Sequence, residues 1–151
     1  MQVEVDQSVR IKDSQDTVMA FSNDERRAIV LPAKVKRRVE LYLRNRYRKS
    51  RNVELRIFTA GLFLLLKQHL TPQLEITIDK EWPGAENEAN IKGMLLNYIR
   101  KTIPNFHGDQ IGFASIGKKS PAHKLAYAVH RGKEQANYTV TYEDLLALLK
   151  K

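Results

Sequence analysis

Apolar and polar positions alternate with a period of two along the first part of the chain. In MQVEVDQSVRI, Val3, Val5, Val9 and Ile11 are separated by polar residues. DTVMAFS and RAIVLP follow, divided by the turn-like Ser22-Asn23-Asp24. Successive side chains on a strand point to opposite faces, so this pattern predicts three short strands joined by close turns, most simply an antiparallel meander. At Pro32 the period lengthens. Val35, Val39, Tyr42 and Leu43 recur at helical spacing, and proline suits a first helical turn, so a helix is expected over about 32–46. RNRYRKSRN, residues 44–52, has no apolar period and reads as a basic linker. Residues 54–70 predict a second, mostly buried helix, with a strand–helix split near Gly61 as the alternative.

After the TPQ break, residues 74–79 (LEITID) read as a strand that runs into Asp79. A Pro-Gly turn precedes AENEANIKGMLLNYIRKT, where Ile91, Met94, Leu95, Tyr98 and Ile99 form a helical stripe. IGFASIG, residues 111–117, is the next strand. Ser120-Pro121 supplies a capping hydroxyl and a first-turn proline for a helix whose buried stripe is Ala122, Leu125, Ala126 and Val129, ended by Gly132. Tyr138–Val140 predicts a short strand. Thr141 with Asp144 resembles a capping box before the leucines at 145, 146, 148 and 149. The expected class is α/β: a mixed sheet with an antiparallel three-stranded start and helices on its faces. At 151 residues one domain is expected, with a core over 1–132 and a strand–helix appendage over 133–151.

Charge changes the picture next. Lys and Arg outnumber Asp and Glu by 26 to 17, a formal net charge of +9, which favours a polyanionic partner such as DNA or RNA. The chain has no cysteine, which excludes disulfides, zinc–thiolate sites, iron–sulfur clusters and cysteine nucleophiles. Ile57–Leu66, the longest apolar run, is about half the length of a membrane span, and MQVEVDQSVRIK lacks a signal-peptide core. A cytoplasmic protein without a membrane partner is expected. His69, His107, His123 and His130 lack zinc-site spacing. A GxSxG elbow and a phosphate-cradling GxxxxGK loop are both absent: between Gly112 and Gly117 the residues FASI are strand-like.

Two basic segments suit phosphate. Lys34, Lys36, Arg37, Arg38, Arg44, Arg46, Arg48, Lys49, Arg51 and Arg56 surround Tyr42 and Tyr47, combining bidentate phosphate donors with rings that stack on bases. Charge runs are also commonly solvated helix faces. In IGKKSPAHKLAYAVHRGK, Lys118 and Lys119 precede a capped helix whose free N–H groups attract anions, and His123, Tyr127 and His130 share one helical face.

Element order and four acids or histidines give this chain a resemblance to the ribonuclease H-like fold. That family carries an aspartate on its first strand, a glutamate on its first helix, an aspartate at the end of its fourth strand and a late-helix acid or histidine, which together hold divalent metal ions. Asp6 in VEVDQS, Glu40 in KRRVELYL, Asp79 in EITIDKE and His123 in GKKSPAHKLAYAV fall at these places, over residues 1–132. The resemblance implies a nucleic-acid-binding protein that cuts phosphodiesters with Mg2+ or Mn2+. Asp6, Asp79 and one of Glu40, Glu86 or Glu88 would be metal ligands, assisted by His123 and Lys119.

The chemistry supports such a set independently, because two Mg2+ ions can activate a water and stabilise a leaving oxygen, and hard carboxylate oxygens suit them. Asp6 and Asp79 converge if their strands are neighbours. Each residue also has a plainer reading. Asp79 can begin a turn, and Asp6 can lie on a solvent face. Glu40 can pair with Lys36 or Arg44 at i,i+4, while Glu86 and Glu88 can complement a helix dipole. The competing function is a non-catalytic nucleic-acid-binding or protein-interaction module on the same scaffold, gripping through Lys34, Arg37, Arg38, Arg44, Arg46, Arg48, Lys49, Arg51, Lys118 and Lys119.

Overall fold

The computed structural model of the chain describes residues 2–23, 25–46 and 52–150. Its strands are β1 (Gln2–Ser8), β2 (Thr17–Ser22), β3 (Arg26–Leu31), β4 (Glu75–Asp79), β5 (Ile111–Ala114) and β6 (Tyr138–Thr139). Its helices are α1 (Ala33–Arg46), α2 (Val53–Leu66), α3 (Ala85–Arg100), α4 (Pro121–His130) and α5 (Tyr142–Leu149). The strands form one mixed sheet in the order β5-β4-β1-β2-β3-β6. β1, β2 and β3 pair antiparallel as the alternating pattern predicts. β4 joins β1 in parallel, β5 joins β4 in parallel and β6 joins β3 in parallel.

The period-two pattern sorts the strand residues between two layers of helix. Val3, Val5, Met19, Phe21, Ile29, Leu31, Ile76 and Ile78 turn one way into the main core, where α2 sits centrally. α2 is buried around most of its circumference, as an all-round apolar helix must be. Gly61 lets it approach the sheet: a Cβ there would stand 2.7 Å from Met19 Sδ and 3.3 Å from Leu31 Cδ2. Residues 53–66 are therefore one continuous helix, without a strand near Gly61, and Lys67–His69 tighten into a 3-10 turn. On the opposite face Val18, Ala20 and Ala28 meet Leu125, Ala126 and Val129 of α4. These small side chains bring α4 close over β1 and β2. Leu145 and Leu149 of α5 join the main core, so the last strand and helix pair and pack with the rest.

Two boundaries fall earlier than the sequence pattern suggests. β1 stops at Ser8, and Val9 takes a left-handed backbone with φ 71°, a strained conformation for a β-branched residue. β5 ends at Ala114, where its carbonyl accepts Lys80 N–H at 3.1 Å and the chain leaves the sheet.

Lys36 is removed from the expected basic surface. It is 2% exposed, and its ammonium donates to the carbonyls of Asp13 (2.9 Å) and Gln15 (2.6 Å) and to Thr17 Oγ1 (2.9 Å). A buried ammonium is tolerable when its protons are all taken up. Burial lowers its pKa, and Glu40, Asp13 and Asp16 act against that. Lys36 thereby fastens the β1–β2 connection onto α1.

Candidate metal centre

Parallel register builds the centre. β1 and β4 pair as Val3↔Ile76, Glu4↔Thr77 and Val5↔Ile78, so one further step sets Asp6 beside Asp79. Val5 and Ile78 face the main core. Alternation therefore turns both aspartates toward the face that α4 covers. Glu81 follows Asp79 by two residues, and Glu81 N–H donates to the Asp79 carbonyl at 2.9 Å. Asp6, Asp79 and Glu81 each offer a carboxylate oxygen, and these oxygens lie within 4.8 Å of one another.

The surroundings fix each acid in place. Asp6 is 4% exposed. Its Oδ1 accepts Gln7 N–H at 2.8 Å, and its Oδ2 lies 2.8 Å from His123 Nδ1. With Asp6 ionised, Nδ1 is the nitrogen that donates, which orients the ring and turns Nε2 away from Asp6. Asp79 Oδ1 accepts Ile116 N–H at 2.9 Å, tying the loop that carries Lys118 and Lys119 to the centre. Gln7 Nε2 donates to Glu81 Oε2 at 2.5 Å.

The electrostatics are those of crowded, partly desolvated carboxylates. Burial raises the Asp6 pKa, with Asp79 adding to it, against the lowering effect of the His123 and Gln7 hydrogen bonds. Glu81 is pushed up to about 7, first by burial and further by the charges of Asp6 and Asp79. Among the described residues, the basic group found in contact with this trio is the His123 imidazole, on Asp6. A divalent cation would supply the missing positive charge.

The remaining expected site residues are distributed elsewhere. Glu40, half-buried on α1, is not one of the three converging acids. Burial and then Glu54 raise its pKa, opposed by Arg44, Lys36 and Arg37. Glu86 is exposed in the first turn of α3, and Glu88 shares that turn. Lys34, Arg37, Arg38, Arg44 and Arg46 are exposed on α1. Arg38 lies 3.8 Å above the Tyr142 ring, and Arg44 pairs with Glu54 at 3.5 Å. Lys118 and Lys119 are exposed before α4. Arg48, Lys49 and Arg51, with Tyr47, lie outside the described residues.

Glu81 and Gln7 are the members that sequence reasoning missed. The spacing Asp79-x-Glu81 was a usable signal only in that two acids two residues apart at a strand end can be folded together by the turn that follows. Gln7 had none, because its role depends on the turn that brings Glu81 back to it. No helix among the described residues is long and apolar enough to cross a membrane. Comparison with protein-family models, curated proteins and solved structures finds no match to the chain.

Proposed function

We propose that this protein binds nucleic acid and cleaves phosphodiester bonds with Mg2+ or Mn2+ held by Asp6, Asp79 and Glu81, on a ribonuclease H-like scaffold. The observation that carries the reading is the convergence of three carboxylates from β1 and the end of β4, with ligand oxygens within 4.8 Å. The scaffold is supported by the antiparallel β1–β2–β3 start, by the helices and strands that follow in alternation, and by acids on the first and fourth strands.

The residues present fit such an ion. Their donors are hard oxygens, as Mg2+ and Mn2+ prefer. Gln7 Oε1 is buried without a hydrogen-bond partner, on the side chain that already touches Glu81, so a further oxygen stands at the edge of the trio. When bound, the ion supplies Lewis acidity and a more acidic water. The protein's own groups then have separable tasks. Asp6 holds His123 by Nδ1, so Nε2 is oriented to exchange a proton with a reacting oxygen. Lys118 and Lys119, on the loop anchored to Asp79, grip the flanking phosphates beside the first turn of α4. The exposed cations of α1, which packs in the main core on the other side of the sheet from α4, offer a second basic surface.

A binding module without cleavage is the second reading, favoured by the exposure of those α1 cations independently of the trio. Titration with Mg2+ and Mn2+ followed by amide NMR, with cleavage assays on single- and double-stranded DNA, RNA and hybrids, separates the two. Shifts at Asp6, Asp79, Glu81 and residues 116–123, together with metal-dependent cleavage, support the nuclease. Salt-sensitive binding without either leaves the module.

A further inference from the structure

Beside the carboxylate trio lies a cavity of about 300 Å³ lined by Gln7, Arg10, Ile11, Lys12, Glu54, Glu81, Trp82 and Pro83. We infer that it receives one unstacked nucleobase of a single-stranded nucleic acid, whose own phosphate then lies at the metal centre. The inference rests on the nuclease reading and narrows it to a substrate class.

Four features point to this ligand. The volume is at the lower end of small-molecule sites, suited to a base and not to a duplex. The walls combine Ile11 and Pro83 with the Trp82 indole, which is tilted against Phe58 at a ring distance of 5.3 Å, a surface for base stacking. Gln7 is 7% exposed with its Oε1 unpartnered, and Trp82 Nε1–H is likewise buried and unpartnered. Both belong to residues that line the cavity, and the unsatisfied Gln7 amide oxygen is an acceptor suited to the N–H edge of a base. Both atoms are covered in this conformation; turning the soft terminal torsion of the Gln7 amide releases Glu81 Oε2 from Nε2 and presents Oε1 to the cavity, while Trp82 contributes its ring. At the rim, Arg10 and Lys12 are exposed and placed for the flanking phosphates. Glu81 belongs both to the cavity wall and to the trio, so a base seated here brings its phosphodiester to the carboxylates.

The single tryptophan of the chain is Trp82, so intrinsic fluorescence reports on this cavity directly. The experiment titrates the full chain, in EDTA and in Mg2+, with the four nucleoside 5′-monophosphates, ribose 5-phosphate, inorganic phosphate, a six-nucleotide single strand and its duplex. The expected result is a saturable Trp82 change with base-bearing ligands and the single strand, small or absent with the base-free ligands and the duplex. Arg10→Ala with Lys12→Ala should weaken nucleotide binding about tenfold, both side chains being exposed and removable without disturbing the core. Gln7→Met, of similar length, should reduce discrimination among the bases. An equal response to ribose 5-phosphate overturns the inference, as does no saturable response up to about 10 mM, weaker than a specific site of this size should bind. Base-dependent binding in EDTA without any metal-dependent cleavage would uphold the cavity and refute the nuclease reading. Cleavage without base-dependent binding would do the reverse.

Discussion

Replacing Glu81 by glutamine should stabilise the metal-free protein, and by an amount that depends on pH. Glutamine keeps the shape of the protonated acid. Its oxygen can accept from Gln7 Nε2, as Glu81 Oε2 does at 2.5 Å, and its amide can donate toward Asp79. What disappears is a negative charge crowded against Asp6 and Asp79. The Glu81 pKa rises from 4.5 to about 7 on folding. A raised acid binds more protons in the folded than in the unfolded state, so stability is highest below the unfolded pKa and falls as pH climbs from about 4.5 to 7. At about 1.4 kcal/mol per pH unit, discounted for the partial exposure of the group, the loss at pH 8 is about 2–3 kcal/mol. For a chain of this size that is roughly 5–10 °C in Tm. Thermal melts in EDTA at pH 4.5 and pH 8 should therefore show wild type and Glu81→Gln nearly level at the lower pH and the variant clearly higher at pH 8. Adding Mg2+ at ten times its Kd should raise wild type by about 1.4 kcal/mol and the variant by less. A variant that melts at or below wild type at pH 8 in EDTA would refute the claim that these carboxylates repel one another in the folded state.

Three other substitutions probe separate parts of the argument. Lys36→Met leaves the carbonyls of Asp13 and Gln15 and the Thr17 hydroxyl without their donor. Because residues 12–16 are exposed and can rehydrate, the expected cost is about 2–4 kcal/mol, with faster amide exchange over residues 10–17; an unchanged melt and exchange pattern would contradict the anchoring role. Asp79→Asn keeps an acceptor for Ile116 N–H but removes a ligand charge, so metal-induced NMR shifts should weaken at least about tenfold while Tm in EDTA holds or rises. Retained metal response would remove Asp79 from the centre. Gly61→Ala gains helix propensity yet forces Met19 aside in a filled core, for a net loss of about 1 kcal/mol in denaturant unfolding. A gain in stability would show that the α2–sheet contact is looser than it looks.

The elements were largely readable, and the failures have local causes. Val3, Val5, Met19, Phe21, Ile29 and Leu31 announced their strands by alternation, and Ile91, Leu95 and Ile99 their helix by its stripe. The 54–70 segment was ambiguous because an apolar run buried on all sides has no period to read. Lys36 looked like one more surface cation, since burial of a lysine depends on carbonyls from a distant loop. Asp6, Asp79 and His123 could be named one at a time, but each had a plain structural reading until their neighbours were known. The third acid expected beside Asp6 and Asp79 is one of Glu40, Glu86 or Glu88, the first of them because the resemblance puts a ligand on the first helix; the structure groups Glu81, two residues beyond Asp79, with the two aspartates.

The sequence by itself determined the α/β class, the antiparallel start, the basic charge and the acids available for chemistry. Periodicity and composition are local properties, legible without knowing the fold. Tertiary structure decided which of those acids meet. The parallel pairing of β1 with β4 sets Asp6 beside Asp79, the alanine-lined contact of α4 delivers His123 to Asp6, and the turn after β4 returns Glu81 to Gln7. Residues more than seventy positions apart come into contact only when strand order and register are fixed, and no single segment of this chain carries that information.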